Sequence, residues 1–298
     1  MKKSHYINTI QRIIDEIENY LTEEIKISDL ALKSGYSKWE FQRIFSSMVG
    51  ESMGSYLRHR RLSASLERLQ NSNDRILDIA LDYQFGSQES YSRAFKTYFR
   101  KTPNQIRKER IKVLIKNKVQ ITPELLSHHC NSIKLIPKIE TVPKMLLIGY
   151  EKIIPSIYSN YNNYDHTLRE FWQKFLLNKD NIKNVNLERS IGLAKCDKHI
   201  NDDELLAYLA CSEVSSLEEI PEGMVHYELS ESTYAIFTNI GTGNKTSFTV
   251  NYIYGTWLPQ SGYKRADGDD FEVFDHRYIP DSPDSISDYY LPISRIEK

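Results

Sequence analysis

The sequence predicts two domains of different class: an all-α double helix-turn-helix domain over residues 5–111, then an α+β domain over 133–298. Three observations carry this. Apolar residues recur with helical spacing through the front of the chain, which also repeats itself, whereas the back shows strand-like runs and only two amphipathic helices. Charge divides in the same region: up to Lys118 there are 22 Lys and Arg against 14 Asp and Glu, and beyond it 17 against 26, within a net charge of −1. A length of 298 residues suits two cores of roughly 150 residues each. The basic front suits a nucleic-acid partner.

In chain order, Ile10, Ile13, Ile14, Ile17 and Leu21 mark a first amphipathic helix. ISDLA at 27–31 is then answered by ILDIA at 76–80, and Ser37 to Phe45 by Ser87 to Phe95, with Arg43 falling on Arg93. Each copy reads as a short helix, a tight glycine-containing turn at Gly35 or Gly86, and a serine-capped second helix, which is the helix-turn-helix arrangement. Ser37 with Glu40 fits a capping box. A stiff helix from about Ser52 to Gln70 joins the copies, and Thr102-Pro103 starts a last helix with proline at its first position.

The second helix of the first copy carries two stripes. Phe41, Ile44, Phe45 and Met48 have the spacing of a buried face, and Trp39, Gln42, Arg43 and Ser46 repeat that spacing on a face expected to point outward. In the second copy Tyr91, Ala94, Phe95 and Tyr98 form the core stripe, with Gln88, Glu89, Ser92, Arg93 and Lys96 outward. One polar stripe is ordinarily a solvated face. Its recurrence at the start of both second helices, in the basic half, points to base reading, because arginine can grip guanine in a bidentate pair and glutamine can grip adenine. Two such heads on one stiff helix could reach successive major grooves about 34 Å apart.

Residues 5–110 resemble the AraC/XylS transcription regulators of the MarA/Rob type, through SGYSKWEFQRIFSSMVG, YLRHRRL and IALDYQFGSQESYSRAFKTYFRKTPNQIR. The resemblance implies base-facing roles for Trp39, Gln42, Arg43, Gln88, Ser92 and Arg93, and phosphate contacts for Lys38, Arg58, Arg60, Arg61, Lys96, Arg100 and Lys101. It also implies promoter DNA and RNA polymerase as partners, and activation as the outcome. Glu89 and Ser90 depart from the longer amides of related proteins, so the second head is expected to read its site more loosely. Two heads on one chain remove the need for a dimer, and a monomer is expected.

Residues 112–132 turn Lys-rich and then polar, and are expected to be a linker with a short helix after Thr122. His128, His129 and Cys130 are adjacent and share no helix face, so no metal site is expected. Cys130, Cys196 and Cys211 have neither zinc spacing nor the even number of a disulfide framework, and read as reduced thiols. With no run of eighteen apolar residues and no secretory segment, a cytoplasmic protein without a membrane partner is expected.

In the back half, strands are predicted at 133–139, 145–154, 190–194, 205–211, 224–229, 234–239, 271–274 and 288–293. Leu168, Phe171, Trp172 and Phe175 mark one helix, and 82 residues later Val250, Ile253, Tyr254 and Trp257 mark another. The same shift lays Ser190-Ile191 on Glu272-Val273 and 205–211 on 287–293. This predicts two pseudo-symmetric strand-strand-helix-strand-strand halves with a groove at their twofold axis.

Residues 133–298 resemble the GyrI-like effector-binding domain, through IETVPKMLLIGY, TWLPQSGY, DGDDFEVF and YYLPI. By its position in DFEVF, Glu272 is implied as the carboxylate at the base of an aromatic pocket for a small cationic amphiphile. Strand alternation puts Glu272 on the face of Phe274, away from Phe271 and Val273, and Trp257 and Trp172 are candidate walls. A strand glutamate that merely faces solvent is the plain alternative, as is an acidic hairpin loop for Asp267 to Asp270.

A hydrolase built on Glu272 and a protein-interaction module are the alternatives for the domain. No second carboxylate, Ser/His pair or Gly-rich loop with specific spacing stands beside Glu272, and His166, His199, His226 and His276 are scattered and expected to be structural. A binding domain without cofactor, and no enzyme, is the expectation.

Overall fold

The computed structural model describes residues 5–111, 113–122, 125–126, 136–155, 164–195, 205–241 and 246–296. The chain divides into two compact units, Met1–Pro123 and Glu124–Lys298. The expected features at His128, His129, Cys130, Cys196 and His199 lie outside the described residues.

The first unit consists of α1 (His5–Asn19), α2 (Ile27–Ser34), α3 (Lys38–Val49), α4 (Met53–Asn71), α5 (Ile76–Asp82), α6 (Gln88–Phe99) and α7 (Pro103–Glu109). Local chemistry sets these boundaries. Gly35 ends α2 in the left-handed region at φ 77°, with its N–H donating to the Leu32 carbonyl, and Ser37 caps α3 by accepting from the Glu40 N–H at 3.2 Å. The reciprocal box is complete in the second copy, where Ser90 reaches back to the Ser87 N–H at 3.1 Å. Thr102 and Gln105 form another at α7, behind Pro103. No atom lies within 4 Å of a Cβ built on Gly35, so its requirement is conformational alone. Gly35→Ala is therefore expected to cost about 1–2 kcal/mol, read as a lower denaturant midpoint for this unit.

Phe41, Ile44, Phe45 and Met48 are fully buried, as are Ile10, Ile13, Ile14 and Ile17 of α1. In the second copy Tyr91 and Phe95 are fully buried with Leu62, Leu69 and Ile79. The helix α4 serves both: its start puts Tyr56 edge-on to Phe45, and its second half puts Leu62, Leu66 and Leu69 into the other core. Sharing one helix between two cores holds the two second helices at a set separation.

Residues 113–122, within the expected linker, form neither helix nor strand and are bonded to this unit. The Lys116 N–H donates to Ser63 Oγ at 3.0 Å and the Ile121 N–H to Gln11 Oε1 at 2.8 Å. Lys118 pairs with Asp15 at 2.6 Å, and that hydrogen bond is the main reason the Asp15 carboxyl is held below its usual range.

The second unit is an antiparallel sheet of β1 (Lys138–Val142), β2 (Met145–Pro155), β3 (Ser190–Lys195), β4 (Leu205–Val214), β5 (Val225–Leu229), β6 (Ser232–Ile240), β7 (Tyr263–Arg265), β8 (Asp270–Phe274) and β9 (Ile286–Arg295). Its order is β1-β6-β9-β8-β3-β4-β2-β5, with β7 on β9. Helix α8 (Tyr164–Asn178) follows β2, and α9 (Thr246–Tyr252) follows β6 and runs on into a π-helical turn, Ile253–Trp257.

The order reads the same outward from either side of the β3–β8 pair: β4-β2-β5 one way, β9-β6-β1 the other. Each half lends its first strand to the far edge of the other. At the axis Ile191 faces Val273, the two residues that the 82-residue shift equates. One strand further out the shift fails. Ile191 faces Cys211 and Val273 faces Asp288, so Cys211 corresponds to Asp288 and not to Ile293, because the second half crosses between its last two strands in five fewer residues. Of the strand expected at 133–139, residues 133–135 lie outside the described residues; the described strand is Lys138–Val142, an exposed edge whose alternation is blurred by charge, and β7 adds a strand the periodicity does not predict.

One face of the sheet gathers Leu147, Ile191, Leu193, Leu209, Phe271 and Val273 into a single core, and the other packs Ile148, Leu206, Tyr208 and Ala210 against Phe171 and Phe175 of α8. Glu272 alternates with Phe271 and Val273, and so lies on the helix-bearing face.

Candidate DNA-reading faces and effector site

On α3, Lys38, Trp39 and Gln42 are half-buried. Arg43 is not outward as expected: only 8% of it is exposed, and its guanidinium carbon lies 4.3 Å from the Trp39 ring centre. A guanidinium stacks well on an indole face, which explains this placement. Ser46, expected on the same stripe, is buried as well. The face is thus narrower than the spacing predicted, and centres on a preorganised Trp39–Arg43 pair beside Gln42, whose buried Nε2 has no hydrogen-bond partner.

On α6 the expected face is open. Gln88, Glu89, Arg93 and Lys96 are exposed and Ser92 is half-buried, and Ser87 caps the helix start. Of the seven cations expected on phosphates, Arg58, Lys96, Arg100 and Lys101 are exposed, and Arg58 stands at the rim of a cleft shared with Gly54, Gln84 and Gly86.

Arg60 and Arg61 are committed inside the domain. Arg60 grips Glu18 in a fork at 2.8 and 2.7 Å and also meets the Lys116 carbonyl, while Arg61 donates to the Leu21 and Glu23 carbonyls at 2.8 and 2.7 Å. The Glu18 hydrogen bond raises the Arg60 pKa, whereas burial lowers that of Arg61. Arg60→Ala is accordingly expected to lower stability by about 2 kcal/mol, from lost charge-assisted bonds. It should leave unchanged the salt slope of DNA binding, which a lost phosphate contact would reduce by about 1.

In the second unit Glu272 is half-buried, and its Oε1 accepts from Ser287 Oγ at 2.6 Å and Asn239 Nδ2 at 3.3 Å. Phe274, on the same face, meets Trp172 of α8 edge-on at 5.0 Å and Tyr278 at 4.8 Å. Burial first and the Glu272 charge second push the Tyr278 hydroxyl pKa up. Trp172 Nε1 donates to the Tyr208 hydroxyl at 3.2 Å. Gly192, which faces Glu272 across β3, permits this: a Cβ there would stand 2.0 Å from the Tyr208 oxygen and 3.1 Å from Trp172.

The structure therefore brings Glu272, Phe274 and Trp172 together and adds Tyr278, Tyr208, Ser287 and Asn239, which the sequence reading missed. Of these only Tyr208 had a sequence signal, in Gly192, since glycine inside a strand marks a close approach. Trp257 has different company: it meets Phe237 edge-on at 5.1 Å and stacks on Tyr263 at 6.0 Å.

Asp267 to Asp269 lie in the loop between β7 and β8, as the acidic-loop alternative has it, but Asp270 does not. It begins β8 with no exposure, paired to Arg265 at 3.0 Å and accepting from the Tyr254 and Tyr289 hydroxyls at 2.6 and 2.7 Å. A buried carboxylate needs such partners. His226 and His276 are exposed, and burial pushes the Cys211 thiol pKa up. Among the described residues no three His, Cys, Asp or Glu are grouped to hold a metal ion, and no helix is long and apolar enough to cross a membrane.

Two helix-turn-helix units on a shared helix, followed by a pseudo-twofold sheet with a carboxylate among aromatic rings, define a DNA-binding transcription regulator joined to a small-molecule-binding domain. The chain belongs to the AraC-type regulators that carry a GyrI-like domain: it matches the helix-turn-helix domain over residues 14–109 and the GyrI-like small molecule binding domain over 136–294. It is 30% identical over 278 residues to the right origin-binding protein of Escherichia coli K12, covering 91% of this chain and 90% of that one. Against the transcriptional regulator Rob of Salmonella typhimurium it is 27% identical, covering 96% and 98%. The HTH-type transcriptional activator AarP of Providencia stuartii is 42% identical over 98 residues, which is 33% of this chain and 73% of that one.

Proposed function

We propose that the chain is a cytoplasmic, monomeric transcription activator that reads promoter DNA with α3 and α6, engages RNA polymerase, and is tuned by a lipophilic cation held at Glu272. The observation that carries the effector class is the Glu272 carboxylate on the face of Phe274, with Trp172 and Tyr278 edge-on around that ring. A carboxylate among aromatic faces attracts a soft cation by charge and by cation–π contact. Because its Oε1 already takes two donated hydrogen bonds, the carboxylate suits holding a charge better than abstracting a proton, which favours binding over turnover.

Base reading is proposed for Trp39, Gln42, Arg43, Gln88, Ser92 and Arg93, and phosphate contact for Lys38, Arg58, Lys96, Arg100 and Lys101. The domains are proposed as 5–111, 112–132 and 133–298, with 113–122 strapped to the helical unit. Activation is the reading that the relative AarP, itself named a transcriptional activator, favours. The test is transcription in vitro from a promoter carrying the selected site, with and without tetraphenylphosphonium. Polymerase output that rises with the protein and changes with the cation supports the proposal, and output indifferent to both contradicts it.

A further inference from the structure

Behind Glu272 runs a line of polar side chains that the effector reading does not by itself require. Ser287 of β9 and Asn239 of β6 donate to the same carboxylate oxygen, and Asn239 Oδ1 in turn accepts from Thr249 Oγ1 on α9. Asn239, Thr249 and Ser287 are all buried. A buried polar group is costly unless bonded, so each link needs the next. The network also settles the amide orientation: nitrogen toward the carboxylate, oxygen toward the threonine hydroxyl. A donor aimed at a carboxylate favours its charged form, and a donor fixed by a helix does so only while that helix keeps its place.

We infer that Asn239 is a positioning residue for effector binding, holding Glu272 ionised and aimed, with Thr249 tying that arrangement to helix α9. This rests on the proposal that Glu272 binds the effector. Ser287 Oγ donates to the same oxygen at 2.6 Å, so Asn239 is the second donor, and it alone of the two is tied to α9 through Thr249. Tyr278 and the cross-strand neighbour Tyr289 face the carboxylate, Tyr208 lies over Gly192, and the Asp270–Arg265 pair sits two residues along β8. Beyond Tyr278 stand Arg169 and Asp281, paired at 3.0 Å. The tyrosines do not titrate in the acid range, and Asp270 is occupied by its own partners.

The experiment is calorimetric titration of the full chain with tetraphenylphosphonium from pH 4 to 8, in the parent and in Asn239→Leu, Thr249→Val and Glu272→Gln, each checked for cooperative unfolding. In the parent, affinity should fall as pH drops and the carboxylate gains its proton. In Asn239→Leu the pH of half-maximal affinity should rise by about one unit, the effect of one lost charge-assisted bond. The nearly isosteric Thr249→Val, which touches the carboxylate only through Asn239, should shift it the same way by less, and stands in if Asn239→Leu does not fold. A profile identical to the parent in folded Asn239→Leu, or in Thr249→Val if the leucine variant does not fold, overturns the inference. Undiminished affinity in Glu272→Gln overturns instead the reading on which it rests.

Discussion

Arg43→Ala is expected to weaken binding to the chain's specific DNA site by about 1–3 kcal/mol, roughly 5- to 150-fold, while binding to random duplex changes little. The size follows from losing a bidentate base contact. Its confinement to the specific site follows because phosphate contacts, which carry non-specific binding, remain. The stacking of Arg43 on Trp39 adds a cost at a second residue, since the indole loses the partner that orders it. Arg93→Ala should cost less. Arg93 is exposed on α6, next to Glu89 and Ser92, and an arginine not held in advance must be ordered on binding. Fluorescence anisotropy at one fixed salt concentration measures both variants. Equal losses for Arg43→Ala and Arg93→Ala would show that the Trp39 stack confers no advantage.

Glu272→Gln is expected to reduce affinity for tetraphenylphosphonium by about 10- to 100-fold, while a neutral aromatic ligand of similar size is affected little. The substitution keeps the shape and most hydrogen-bonding capacity but removes the charge, so the difference isolates electrostatic attraction in a partly desolvated site, about 1.4–2.7 kcal/mol. Phe274→Ala should cost both ligands alike, because it removes the ring between Trp172 and Tyr278 and not the charge.

Much of the first unit was legible in the sequence because its signals are local. Capping serines, Gly35 and the two core stripes each act within a few residues, and the repeat supplied a second reading of both helices of the helix-turn-helix. The misreading of Arg43 was also local in origin. Helical spacing says which way a Cα faces, and a long side chain can fold along its own helix onto Trp39. Arg60 and Arg61 were misjudged for the opposite reason, since Glu18, Leu21 and Glu23 are some forty residues away in sequence.

In the second unit, the strand alternation that put Glu272 with Phe274 survived intact. Its polar partners did not show, because Asn239, Thr249 and Ser287 come from three separate elements that only the sheet order brings together. Asp270 illustrates the same limit. Three aspartates around Gly268 read as a loop, and only Arg265, Tyr254 and Tyr289 reveal that the last of them is a buried strand residue.

Selection of duplexes from a random DNA pool by the full chain, repeated with Arg43→Ala, tests the central claim that two linked helices read DNA unequally. The structure predicts two enriched blocks centred about 10 base pairs apart, one turn of the double helix, with the more sharply defined block lost in Arg43→Ala and the other retained. No enriched sequence, or one that Arg43→Ala leaves unchanged, would contradict it.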